Sequence, residues 1–158
     1  MTARRTGDVI GSAIDVLGWD EALQRLLAWS RERRSRVVCI CNVHSVVTAR
    51  QDPAFAAVLR EAELCTPDGA PVAWMLRRQG HADQPRINGP DLMWRYCERA
   101  AGAGESIYLY GGTEATLHLL QQRLLAAFPG LRIAGAQSPP FRALQPEEDA
   151  AAVAAINA

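Results

Sequence analysis

Three short polar segments hold most of the residues able to do chemistry, and each follows an apolar run of strand length. They are Asn42-Val43-His44-Ser45, Pro67-Asp68-Gly69 and Gly111-Gly112-Thr113. Asp68 offers a carboxylate that can take a proton from an attacking hydroxyl. Pro67 fixes φ just before it, and Gly69 supplies whatever backbone angle the turn demands. A plain N-cap for the following helix is the simpler use of Asp68, and the local sequence leaves both uses open. Asn42 can donate and accept hydrogen bonds, as recognition of a sugar or a base edge requires. His44 can act as a general base, although one histidine at a helix start also serves as a cap or a surface residue. Gly111-Gly112 before a helix lets backbone N–H groups approach a phosphate, with a tight turn as the alternative. Arg86 can present its planar fork to a phosphate or to a carboxylate. Asp91 suits a helix start by its charge, and His81 and His118 read as exposed.

The motifs that would name a reaction by themselves are missing. No Gly-x-Gly-x-x-Gly, Walker A, Gly-x-Ser-x-Gly or His-Glu-x-x-His occurs. Cys39, Cys41, Cys65 and Cys97 form no Cys-x-x-Cys pair and no zinc spacing with histidine, so they read as buried free thiols in a reducing cytoplasm.

Strands and helices must bring the polar segments together, and their pattern is regular. Val9 to Leu17 is expected to form a hairpin or bent strand around Gly11, after a loose tail over 1–7. Asp20 is placed to cap a helix running to about Arg33, whose end carries Arg31, Arg33, Arg34 and Arg36 as a solvated basic cluster. Val37 to Cys41 reads as a strand buried on both faces. Helices follow over about Ser45–Arg50 and from Pro53, the latter burying Phe55, Val58 and Leu59. A strand over Glu63–Thr66 leads to Asp68 and a helix over Ala70–Arg78. A further helix turns Leu92, Met93, Tyr96 and Cys97 inward. The strand Ser106–Tyr110, a helix carrying Leu117, Leu120, Leu124 and Phe128, the strand Leu131–Gly135 and a last helix from Pro146 complete the chain. Strands alternating with helices predict an α/β domain with a parallel sheet. Its ligands would bind at the carboxyl ends of the strands.

Composition adds limits. The 158 residues suit one domain, 49% are hydrophobic, and 17 Lys+Arg balance 17 Asp+Glu. Such a balance gives no overall field to attract nucleic acid. No run approaches the roughly 18 apolar residues of a membrane span, and no signal peptide is visible. A soluble chain that meets a membrane only at its surface is expected.

Taken in order, the segments say more than they do singly. Asn42-Val43-His44-Ser45-Val46-Val47, Asp52-Pro53-Ala54-Phe55, Pro67-Asp68-Gly69, Arg86-Ile87-Asn88-Gly89-Pro90-Asp91-Leu92, Tyr108-Leu109-Tyr110-Gly111-Gly112 and Phe128-Pro129-Gly130-Leu131 occur in sequence. From about Val9 to Asn157 the chain resembles the WecG/TagA/CpsF glycosyltransferase family, glycosyltransferase family 26. The resemblance implies bacterial enzymes that move a sugar from a UDP-sugar to an undecaprenyl-diphosphate-linked saccharide. They invert the anomeric centre without a metal or other cofactor, and their products feed teichoic acid, enterobacterial common antigen or exopolysaccharide. It implies Asp68 as the general base, and Asn42, His44, Gly69, Arg86, Asn88, Asp91, Gly111 and Gly112 as substrate-binding residues. A donor of the N-acetylmannosamine or glucose type, a polyprenyl-diphosphate-linked acceptor, and a cytoplasmic site at the inner face of the membrane follow in the same way. Homo-oligomerisation stays open.

Two departures qualify the resemblance. Ile40 stands where the teichoic-acid branch carries threonine, and the Asn-x-His form is nearer the exopolysaccharide branch. The family's Gly-x-Pro-Lys-Gln-Glu segment and Arg-rich membrane-binding tail have no counterpart after Ala158. A Rossmann-like, mostly parallel sheet with helices on both faces, lacking the C-terminal strands, is therefore expected. Beside the transferase stand two other readings: a degenerate homologue that binds a UDP-sugar without catalysis, and an unrelated nucleotide-binding α/β module.

Overall fold

A computed structural model describes residues 4–33 and 35–158. The chain groups into two compact units, 1–95 and 96–158, with the division falling inside one helix. Met1 to Ala3 and Arg34 lie outside the described residues, and with them part of the expected tail and basic cluster.

The first unit opens with a hairpin of β1 (Thr6–Val9) and β2 (Ser12–Asp15), paired antiparallel with Thr6 opposite Asp15. Ile10 and Gly11 both take positive φ at the turn, 48° and 93°, the combination that suits the twist of a two-residue hairpin loop. Order therefore begins earlier than a loose tail over 1–7 would allow. Arg4 already pairs with both oxygens of Asp15 at 2.9 Å and donates to the Ala62 carbonyl at 2.8 Å.

Helix α1 (Trp19–Glu32) is capped by Gly18, and Asp20 lies inside its first turn rather than at the cap. There the carboxylate complements the helix dipole. Arg36 bonds Glu32, which accounts for one arginine of the basic cluster. Strand β3 (Val38–Cys41) runs parallel to β4 (Leu64–Pro67), Val38 opposite Leu64 and Cys41 opposite Pro67. Full burial belongs to β4, whereas Val38 to Ile40 of β3 are half-buried, so the apolar run misstates which strand is the more deeply buried.

Between these strands lie α2 (Val43–Gln51) and α3 (Pro53–Glu61). Asp52 caps α3 by accepting the N–H groups of Ala54 and Phe55, and Pro53 takes the first helical position. Leu59 is buried and Phe55 half-buried, but Val58 is exposed, contrary to the expected stripe. Helix α4 (Ala70–Arg78) follows β4, and α5 (Gly89–Ala103) crosses the boundary between the units. In α5, Leu92 and Cys97 are buried while Met93 is exposed, one position off the inward face. The core of this unit joins Val9 and Ile14 of the hairpin to Val46, Leu59, Cys65, Val72 and Leu76.

Two buried polar side chains tie the hairpin in place. Asp15, 1% exposed, accepts the Cys65 N–H at 2.7 Å, and so anchors β2 to β4. Gln84 bonds both the N–H and the carbonyl of Leu17 at 2.9 Å, which satisfies a buried loop that has no strand partner.

In the second unit β5 (Ser106–Tyr110) and β6 (Arg132–Gln137) pair in parallel, joined through α6 (Glu114–Ala127), and α7 (Pro146–Asn157) follows. Leu109, Leu117, Leu124 and Leu131 are buried, with Leu120 and Phe128 packed against them. The β3-helix-β4 and β5-α6-β6 units make the class α/β and Rossmann-like.

Candidate functional site

Parallel pairing brings Asn42 and Asp68 to the same end of the β3–β4 pair. Each residue is the first beyond its strand, and the Asp68 N–H donates to the Cys41 carbonyl at 2.9 Å, which extends the ladder one step past β4. A third segment joins them. The Ile87 N–H donates to the Pro67 carbonyl at 2.9 Å, and the fully buried Ile87 side chain fixes Arg86 and Asn88 on either side of it. Gly89 approaches Ile40, where an added Cβ would stand 3.7 Å away. The rim of the first unit thus gathers 42–45, 67–69 and 86–91.

Asp68 is no helix cap. Gly69, at φ 88° and ψ 142°, is the N-cap of α4, and no side chain bonds the end of that helix. Only glycine enters that backbone region without strain, and the turn it makes leaves the Asp68 carboxylate facing the rim. Its Oδ1 accepts from Arg86 Nε at 3.2 Å, with Asp68 19% and Arg86 55% exposed. Oδ2 has no hydrogen-bond partner among the described residues. Between a phosphate and a carboxylate, the arginine here faces the carboxylate. Its terminal nitrogens remain available at the surface.

The other candidates divide by how far they are already used. Asn42 caps α2, its Oδ1 accepting from Ser45 N at 3.0 Å and Ser45 Oγ at 3.2 Å, which leaves its amide donor to the rim. His44 is exposed in the first turn of the same helix. Asn88 is committed at both ends, donating to Asp91 Oδ2 at 2.7 Å and accepting the Asp91 N–H at 2.9 Å. Asp91 does stand at the start of α5, as its charge suggests. His118 is exposed, but His81 is half-buried, contrary to its expected exposure.

The remaining pair lies in the second unit. Gly111 and Gly112 take φ of 122° and 73° at the end of β5, and Thr113 caps α6 through the Thr116 N–H at 3.2 Å. The Gly111 N–H is occupied by the Gln137 carbonyl at 3.0 Å, and Ser138 Oγ donates to the Gly112 carbonyl at 2.7 Å. Gln137 and Ser138 also line a cleft of about 310 Å³ with Glu114 and His118. Gln137 Oε1 is buried there without a partner among the described residues. Nothing in the sequence singled out Gln137 or Ser138; the one available signal was a polar pair at the end of an otherwise apolar strand.

Among the described residues no three His, Cys, Asp or Glu side chains gather as metal ligands. All four cysteines are free. Burial pushes the Cys39 and Cys97 thiols up, and the neighbouring Cys65 thiol together with burial does the same to Cys41.

Residues 7–158 match the glycosyl transferase WecG/TagA/CpsF family. The chain belongs to that family. It is 32% identical over 104 residues to the N-acetylglucosaminyldiphosphoundecaprenol N-acetyl-beta-D-mannosaminyltransferase of Bacillus spizizenii, a match covering 66% of this chain and 40% of that relative. The chain thus matches less than half the length of the curated relative. Within this WecG/TagA/CpsF chain, the segments that carry the resemblance at 42–47, 67–69 and 86–92 are the three that meet at the rim of the first unit. Among the described residues, no helix is long and apolar enough to cross a membrane.

Proposed function

We propose that the protein acts as an inverting, metal-independent glycosyltransferase, moving a sugar of the N-acetylmannosamine or glucose type from a UDP-sugar to an undecaprenyl-diphosphate-linked saccharide. The observation that carries this reading is the Asp68 carboxylate, four-fifths shielded, capping no helix and with Oδ2 unengaged. The acceptor hydroxyl oxygen forms the new bond to the anomeric carbon, its proton passes to Asp68 Oδ2, and the bond to the UDP oxygen breaks with its electrons leaving on the diphosphate. Arg86 holds Asp68 through Oδ1 and brings positive charge to the rim. Asn42 has an amide donor free for a sugar or base oxygen, and His44 stands beside it. Gly69 sets the Asp68 turn, Asn88 and Asp91 fix each other at the head of α5, and the Gly111-Gly112 turn with the N-terminus of α6 suits a phosphate. The relative's name, which specifies a polyprenol-diphosphate-linked acceptor, supports the acceptor class.

The test separates chemistry from folding. Asp68→Asn should lower transfer by roughly 100-fold or more, the usual yield of a positioned general base. Stability should change by less than about 1 kcal/mol, because a half-exposed ion pair contributes little. Calorimetric titration with UDP should give the same affinity for the variant and the parent. If Asp68→Asn unfolded the protein as a core deletion does, or if transfer persisted, the general-base assignment would fail.

A further inference from the structure

A second cavity, of about 370 Å³, opens in the first unit between the hairpin and α3. Small-molecule sites run from roughly 300 to 1,000 Å³, so there is room for a small ligand. Arg4, Thr6, Gly11 and Ser12 line it from the hairpin side, and Leu59 and Arg60 from α3. It stands apart from the rim, because Arg4 bonds the Ala62 carbonyl ahead of β4 whereas Asp68 lies beyond the end of that strand. Among the described residues no carboxylate side chain lines it.

Its polar groups differ in how far they are engaged. Arg4 is held by Asp15 and Ala62, and Asp15 neutralises its charge. Arg60 is exposed and has no hydrogen bond or ion pair among the described residues. Arg50 is equally unengaged, and its Nη1 would stand 3.7 Å from a Cβ added at Gly11, so it borders the cavity at that end. Asp8, at the same turn, accepts the Gly11 N–H at 3.3 Å. Ser12 is only 7% exposed, yet its hydroxyl has no partner among the described residues.

We infer that this cavity binds the phosphate group of a small phosphomonoester, a ligand separate from the sugar donor and its acceptor. Two unengaged guanidinium groups match the charge of about −1.5 to −2 that a phosphomonoester carries at neutral pH. Their planar forks suit its oxygens, and the Ser12 hydroxyl adds a donor. Leu59 gives the organic part of the ester an apolar wall. Arg60 also complements the carboxyl end of α3, but that role accounts for neither the cavity nor the buried hydroxyl. The inference holds whether or not Asp68 is the general base.

NMR titration of the chain as it stands with methyl phosphate, at low ionic strength, tests this. The amides of Gly11, Ser12 and Ala13 should shift together and saturate at one ligand per chain. Arg60→Ala should raise the dissociation constant roughly tenfold or more, as expected for one hydrogen bond between charged groups. Arg60→Gln, which keeps a long polar side chain without the charge, should do the same. Arg50→Ala should raise it about threefold, because that arginine acts from the edge of the cavity. Arg86→Ala, at the rim, should leave the Gly11 to Ala13 shifts and their midpoint unchanged, and singly charged acetate should bind more weakly. Without ligand Arg60→Ala should keep the parent urea midpoint, and methyl phosphate should raise the midpoint of the parent alone. Shifts confined to Gly69, Arg86 or Gly111 and Gly112 would overturn the phosphate site. So would shifts that never saturate, an affinity unmoved by Arg60→Ala and Arg60→Gln, or acetate binding as tightly as methyl phosphate.

Discussion

Replacing Asp15 by alanine should show how much of the site's framework hangs on one buried carboxylate. Asp15 is 1% exposed and accepts the Cys65 N–H at 2.7 Å, three residues before Asp68. A hydrogen bond to a charged group contributes about 1.5–3 kcal/mol, and its loss leaves a buried N–H without a partner. The Arg4 pair adds less, because that side chain is 36% exposed, and an exposed pair contributes about 0.5–1 kcal/mol after solvent screening. Together these give roughly 2–4 kcal/mol for Asp15→Ala. Asp15→Asn keeps an oxygen for Cys65 and should cost about half as much. Arg4→Ala leaves the Cys65 N–H its Asp15 acceptor, so it should cost less than Asp15→Ala, and the double variant should resemble Asp15→Ala. Urea denaturation followed by tryptophan fluorescence reads the relevant unit directly, since Trp19, Trp29, Trp74 and Trp94 all lie within residues 1–95. A loss below about 1 kcal/mol for Asp15→Ala, or a larger loss for Arg4→Ala, would refute the assignment of Asp15 as the clamp between hairpin and β4.

Gly69→Ala should destabilise by about 1–3 kcal/mol, because φ 88° with ψ 142° strains any side chain even though the nearest atom to a new Cβ is 3.7 Å away. Transfer should fall with it as Asp68 shifts, while Gly18→Ala, at negative φ with nothing within 4 Å, should stay within about 0.5 kcal/mol. In the second unit, the Arg142 guanidinium and then the Gln145 N–H hold Glu148 down to about 2. A depressed carboxylate contributes stability that is complete above its unfolded value near 4.5 and is lost as pH falls toward 2. Carboxyl NMR should place the Glu148 midpoint near 2, and Arg142→Ala should raise it.

Element identities were legible because they depend on local rules. Pro53 marked the start of α3, Gly11 marked a hairpin or bent strand, and Pro146 marked α7. What stayed hidden depends on which neighbour arrives. Val58 and Met93 have helix-face spacing that reads as buried, yet both are exposed, and no element among the described residues covers them. Asp20 looks like a cap, but Gly18 takes the N-terminus of α1 two residues earlier and leaves the carboxylate in the first turn. Apolar Val38 to Ile40 suggested a doubly covered strand, and the complete covering went to β4 instead.

The candidate site divides along the same line. Asp68 was visible as a carboxylate between a proline and a glycine, but its choice between cap and reactant is a matter of direction. That direction is set by Gly69, whose positive φ hands the cap position to a residue with no side chain. Arg86 is 18 residues away, and no local pattern pairs it with Asp68. Two backbone hydrogen bonds do: Asp68 N–H to Cys41 and Ile87 N–H to Pro67 place both side chains beyond the end of β4. A carboxylate that caps nothing, held through one oxygen by a half-exposed arginine, contributes little to folding. The fold therefore explains its position poorly, and the general-base role proposed above accounts for it.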